Sequence, residues 1–290
     1  MGFLFFEKNR MICLLCGVGC LLMMLFPEIT VDASKAAIRI WMNAVVPSLL
    51  PFMIIAGYIK RTSATNIAGH GLYPVFMAFL SGYPMGAKLA GEQYRDGRLN
   101  ARGLQKLLCY AMITGPAFLV GGVGMTFYGT KTAGYILACS HYAGAVTCGL
   151  LLDRGGSLTA GNAKGQKKNP AIPSETPFTD CILESFRTLG IVLAYIVLFM
   201  IGTEFLESGG TFTFLPEAMK GFCKGLLEMT VGCSEIAEAS LSIKEKLLLT
   251  SFVISFGGLS DVRTICFFAS YKVLNVWKNS SCVESFPPIN

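Results

Sequence analysis

An all-α, multi-pass integral membrane protein is the fold that this chain of 290 residues predicts, and three observations lead there. Hydrophobic residues make up 53% and charged residues 14%, with a mean hydropathy of +0.56, a balance found in polytopic membrane proteins. Several apolar runs approach the roughly 20 residues that carry a helix across the hydrocarbon core. One of them, residues 72–90, is interrupted at its centre by Ser81-Gly82-Tyr83-Pro84-Met85-Gly86 and closed by Lys88. In lipid every backbone N–H and C=O needs an internal partner. A helix broken at membrane depth is therefore tolerated only where protein buries it or a polar cavity meets it. The chain thus predicts broken and re-entrant helices with a solute path at the break. A membrane barrel would instead show alternating segments of about ten residues.

The first apolar run, residues 11–26, lies behind Glu7, Lys8 and Arg10. A charged start and a short apolar core also describe a signal peptide, with Val31-Asp32-Ala33 as a poor cleavage site; the runs that follow favour an uncleaved first span. An amphipathic stretch, residues 29–40, leads into the run 41–58. Its Pro47 and Pro51 each remove a backbone donor, so this segment is expected to kink or fold back. After the broken run comes a polar stretch, residues 92–106, with Arg95, Arg98 and Arg102. Residues 107–128 are apolar and interrupted by Thr114-Gly115-Pro116, and residues 132–152 read as a plain span. Residues 153–180, rich in Gly, Lys, Asn and Pro, read as a cytoplasmic linker. It divides an N-terminal membrane half, residues 1–152, from a C-terminal half, residues 181–271. In the second half, residues 182–206 form the longest span and residues 217–233 a less hydrophobic helical segment carrying Lys220, Lys224 and Glu228. Residues 247–271 are apolar and broken at Phe256-Gly257-Gly258-Leu259-Ser260, and residues 272–290 form a polar tail.

Basic loops mark the cytoplasmic side. Lys8 and Arg10 place the N-terminus inside, and two crossings return the chain inside at Lys60 and Arg61. Were residues 72–90 a full crossing, Arg95, Arg98, Arg102 and Lys106 would lie outside, against that rule. A segment that enters and returns keeps them inside, together with Lys164, Lys167 and Lys168. The expectation is about six spans plus one or two re-entrant segments. The net charge of +6 fits such loops and no nucleic-acid partner. Of the 11 cysteines, Cys13, Cys16, Cys20, Cys109, Cys139, Cys148 and Cys266 lie in apolar segments and read as small buried hydrophobes. His70 and His141 are solitary, so neither a metal site nor any other cofactor is expected. No nucleophile elbow, metal-binding helix or phosphate-cradling loop is present, and no catalysis is expected.

Broken runs in both halves suggest two repeats of opposite topology meeting near the bilayer midplane; the alternative is that Gly and Ser permit close helix packing. The candidate solute-binding residues are Ser81, Gly82, Tyr83, Pro84, Lys88, Gly257, Gly258 and Ser260. Tyr83 offers a hydroxyl and an aromatic face to a solute, or anchors at the interface. Lys88 meets an anionic carboxylate as a mobile point charge, or snorkels to the interface. Glu228 is the candidate for a coupling ion or proton, or pairs with Lys224 one turn earlier. Asp261 and Arg263, after the second break, are paired within the protein or assist an anion if that break is at membrane depth, and are solvated if it lies near the surface.

Val46-Pro47-Ser48-Leu49-Leu50-Pro51-Phe52, the string Ser81-Gly82-Tyr83-Pro84-Met85-Gly86-Ala87-Lys88 and Ser255-Phe256-Gly257-Gly258-Leu259-Ser260 resemble the sporulation integral membrane protein YlbJ family. Glu184-Ser185, Thr188-Leu189 and Leu227-Glu228-Met229-Thr230-Val231-Gly232 match in order. The resemblance runs over roughly residues 15–270 and departs at Met112-Ile113-Thr114-Gly115-Pro116 and at Asp261-Val262-Arg263. It implies a protein with nucleoside-recognition or "Gate" domains, a second half shorter than the family's, and residence in the cell membrane, around the forespore. It further implies a secondary transporter or channel for a small anionic solute such as dipicolinate. The other function class is a non-transporting scaffold for assembly of the spore envelope and its cortex. Partners would be the lipid bilayer, the solute, and a second copy or other spore-envelope membrane proteins.

Overall fold

The computed structural model describes residues 2–62, 73–95, 97, 99–152 and 177–259. The tail, most of the linker, Ser260, Asp261 and Arg263 lie outside the described residues. All regular structure among the described residues is helical. The chain opens with α1 (Gly2–Leu25) and α2 (Pro27–Ile40), parted at Phe26, where Pro27 takes the first helical turn and needs no N–H partner.

The segment with Pro47 and Pro51 does not fold back. A π-helical turn, Trp41–Val45, joins α2 to α3 (Val46–Thr62) in one continuous run. The wider turn absorbs the ring of Pro47, and the Ser48 hydroxyl donates to the carbonyls of Ala44 at 2.5 Å and Val45 at 3.1 Å. The resulting stretch, Pro27–Ile59, is one of two among the described residues long and apolar enough to cross a bilayer, the other being Phe178–Ser208. In the latter only 28% of the most apolar window is buried. Leu183, Phe186 and Leu198 point outward, as do Leu14, Leu15 and Met24 of α1. An apolar flank this extensive calls for lipid or protein around it. Cys13, Cys16, Cys20, Cys139 and Cys148 lie on such outward faces rather than in the core; among the described residues, Cys181 and Cys233 are the buried ones.

Next, α4 (Tyr73–Ser81) and α5 (Tyr83–Arg95) fold against each other across the single residue Gly82, whose φ of 90° suits glycine. With arms of 9 and 13 residues, neither reaches the length of about 20 needed to span the hydrocarbon core. The polar stretch that follows is largely helical: α6 (Ala101–Ala111) starts at Asn100, whose side chain accepts from the Gly103 N–H at 2.7 Å. Residues 112–115 leave the helix, which resumes at Pro116, passes into a π-helix, Phe118–Phe127, and is followed by α7 (Lys131–Leu152).

After the linker, α8 (Pro177–Ser208) is the long apolar helix. The segment expected to be one helix over 217–233 is two: α9 (Glu217–Leu227) and α10 (Met229–Glu238) meet at Glu228, whose φ of −140° and ψ of 115° are extended. Their arms close until a Cβ on Gly232 would stand 2.1 Å from the Gly225 Cα. Only glycine at that crossing permits the fold, and the break is a consequence of it. Finally α11 (Ile243–Phe256) begins in a capping box between Ser242 and Glu245 and ends at Gly257 in the left-handed conformation. One order therefore occurs twice: a long apolar run, a short-armed hairpin, a side-chain-capped helix, a break. The main core joins both halves, with Met53, Leu119, Leu137, Leu189, Ile196, Ile236 and Val253 packed together.

Candidate functional site: a cleft where broken helices meet

Three interruptions converge. Gly82 at the α4–α5 tip, Thr114 and Gly115 in the gap after α6, and Met229 and Thr230 at the start of α10 line one cleft. Val45, Leu49, Phe118 and Val192 supply its apolar walls. The part of this cleft that a water molecule could occupy is room for about one water. The cleft is closed around its floor. Its tightness is set by backbone: a Cβ on Gly115 would lie 3.0 Å from the Gly82 N.

The residues singled out from sequence fall at different distances from this floor. Gly82 is in it, and Ser81 is buried beside it with its hydroxyl turned back to the Met77 carbonyl at 2.9 Å. Tyr83 and Pro84 open α5 directly after the tip. Gly257 and Gly258 do not line the cleft; they support it from behind, where a Cβ on Gly258 would approach the Met229 N to 2.9 Å. Glu228 is 2% exposed. Its carboxylate caps α10 by accepting the Val231 N–H at 2.6 Å.

Lys88 is a turn and more beyond the tip and does not line the cleft. Its ammonium bonds Glu184 of α8, and Arg61 joins the same carboxylate at 3.4 Å and Asp180 at 3.1 Å. Glu184 also borders a second, smaller recess with Met53, Gly57, Met85, Cys181, Ser185 and Thr188.

Lys224 does not pair with Glu228. It is 3% exposed, and its Nζ reaches Glu204 at 2.9 Å, Glu207 at 2.5 Å and Glu235 at 2.7 Å. An ammonium has three protons to donate, and here each finds a carboxylate. The cluster ties the end of α8 to both arms of the α9–α10 hairpin.

Sequence reasoning passed over His141. This side chain on α7 is 7% exposed, and its Nε2 accepts the Thr114 N–H at 3.1 Å. Its Nδ1 stands 3.5 Å from the Ser255 hydroxyl, just before the Gly257 break. The adjacent Tyr142 donates its hydroxyl to the Thr114 carbonyl at 2.9 Å. Two neighbouring side chains thus clamp both ends of one residue in the cleft. An ionisable residue inside an apolar run was the signal that could have found it.

No protein-family model matches the chain, and no solved structure does. The chain is similar to the "Sporulation integral membrane protein YlbJ" of Bacillus subtilis (strain 168), at 24% identity over 281 residues, covering 81% of this chain and 69% of that protein. That match supports the resemblance to the sporulation integral membrane protein YlbJ family carried by the motifs quoted above.

Proposed function

We propose that this chain is a sporulation-associated, multi-pass membrane protein that carries a small anionic metabolite, of the dipicolinate class, down or against a gradient. The observation that carries the reading is the meeting of two short-armed hairpin tips with the Thr114–Gly115 gap at one cleft. Arms too short to cross, ending deep among other helices, are what solute-binding re-entrant segments look like in carriers. The twofold order of elements supports two repeats of opposite topology around that cleft. Helix starts at Tyr83, Pro116 and Met229 turn toward the same space, and the positive ends of helices favour carboxylates. Lys88 contributes its charge when a solute carboxylate replaces Glu184.

A second reading, a non-transporting scaffold for envelope assembly, is favoured by the pairing of Lys88 with Glu184 and by the small free volume of the cleft. Proteoliposomes holding the pure protein and radiolabelled dipicolinate separate the two. Saturable uptake, competed by other small dicarboxylates, is expected. Absence of any protein-dependent flux in both membrane orientations, beside capture of a defined envelope protein, would select the scaffold.

A further inference from the structure

We infer that His141 is a proton-binding site whose protonation releases the Thr114–Gly115 gap and opens the cleft; that this opening serves solute movement rests on the transport reading. The geometry decides the protonation state first. A backbone N–H can only donate, so Nε2 must present a lone pair to the Thr114 amide at 3.1 Å. The neutral ring then carries its proton on Nδ1, which faces the Ser255 hydroxyl at 3.5 Å. When one proton from solution binds, it takes that Nε2 lone pair and forms a new N–H bond. Two donors then face each other across the contact, and the attraction becomes a repulsion. The Thr114 amide has to turn away.

The consequence reaches the cleft because Thr114 and Gly115 are part of its lining. Gly115 sits so close to the Gly82 N that a Cβ would lie at 3.0 Å. A small displacement of Thr114 therefore separates the gap from the α4–α5 tip. On the other side of the ring, Ser255 lies two residues before Gly257, and Gly258 backs the start of α10 at Met229. One imidazole thus touches the elements that build both sides of the floor. The other charged groups considered are already committed: Glu228 caps α10, and each of the carboxylates around Lys224 holds its ammonium.

The helices packed against α7 set which titratable groups stand near the ring. Tyr142 lies tilted beside it, with ring centroids 5.6 Å apart, and its phenol donates to the Thr114 carbonyl. The π-helix against α7 carries no ionisable side chain, and Tyr128 beyond it bonds Thr250 at 2.6 Å. On α11, Lys244, Glu245 and Lys246 stand at the opposite end from Ser255. The helix α6 carries Arg102, Lys106, Cys109 and Tyr110.

The test uses the full chain in lipid nanodiscs with ¹⁵N-labelled histidine and His70→Gln, which leaves a single imidazole. The expected spectrum at high pH is the Nδ1–H tautomer, becoming imidazolium on acidification. Exchange of the Thr114 amide, corrected for the intrinsic effect of pH, should rise roughly tenfold with that titration, the size of one lost hydrogen bond. His141→Gln keeps an acceptor oxygen but cannot titrate, so the rise should vanish. An Nε2–H tautomer, or the same rise in His141→Gln, overturns the inference. In proteoliposomes an inward acid gradient should accelerate dicarboxylate uptake by the wild type, and His141→Gln should lose that acceleration. Unchanged acceleration in that variant overturns proton coupling through His141. If neither protein moves a dicarboxylate, the transport reading fails, and the tautomer and exchange measurements still decide the proton site.

Discussion

Replacing Lys224 with Met removes the ammonium that Glu204, Glu207 and Glu235 share, and the loss can be sized from the structure. The lysine side chain is 4% exposed, while the three carboxylates are 31%, 36% and 30% exposed. Removing one partner of a buried pair costs about 3–5 kcal/mol. Carboxylates that water reaches on one side recover part of their solvation, so the cost falls below that range, to about 2–3 kcal/mol. Against the melting entropy of a chain this size, that is a fall in Tm of roughly 3–5 °C. The assay is a fluorescence-detected melt of the full protein in one detergent at several pH values. The sign with pH is fixed by the charges. In the variant, ionised carboxylates repel, and acid relieves them; in the wild type, acid removes the ion pairs. The gap between the two should therefore narrow as pH falls. Lys224→Met combined with Glu235→Gln should regain part of the loss at neutral pH. A single variant melting within about 2 °C of the wild type at neutral pH would refute the view that this ammonium holds the hairpin to α8.

Three further outcomes follow from packing and charge. Gly86→Ala places a Cβ 2.4 Å from both the Ala111 carbonyl oxygen and the Ala78 Cβ, and it should cost about 1–3 kcal/mol, read as a lower melt, with Gly144→Ala, exposed on α7 with nothing near its Cβ, as the comparison. Lys88→Met should weaken dipicolinate uptake by raising the half-saturating concentration several-fold. Its melt should move little, since the pair with Glu184 is partly exposed and such pairs are worth about 1 kcal/mol or less; an unchanged half-saturation would remove Lys88 from the solute path. Ser242→Ala breaks the capping box at the start of α11 and should lower stability by about 1 kcal/mol, while Ser242→Asp should restore most of it.

The helical class, the long apolar stretches and the first interruption were legible in the sequence because each is written locally. Apolar length needs only composition to be read, and Gly82-Tyr83-Pro84 combines a residue suited to positive φ with one that lacks an N–H. The break at Glu228 has no such mark: Leu227, Glu228 and Met229 all tolerate a helix. It forms because Gly221, Gly225 and Gly232 let two arms close on each other, and closeness between arms is a tertiary fact. The proline pair misled in the opposite direction, since a π-turn could absorb Pro47 without a reversal. Nor could sequence assign the partners of the buried charges. Lys224 prefers carboxylates from α8 and α10 to the one nearest in its own helix, and Lys88 finds Glu184 far along the chain. His141 read as solitary because its partners, the Thr114 amide and the Ser255 hydroxyl, are a backbone group and a distant side chain. Local preferences determined which segments are helices and where the most obvious one stops. Which stops meet, and which charges face them, was decided by packing, because a contact between distant residues is set by every helix that brings them together.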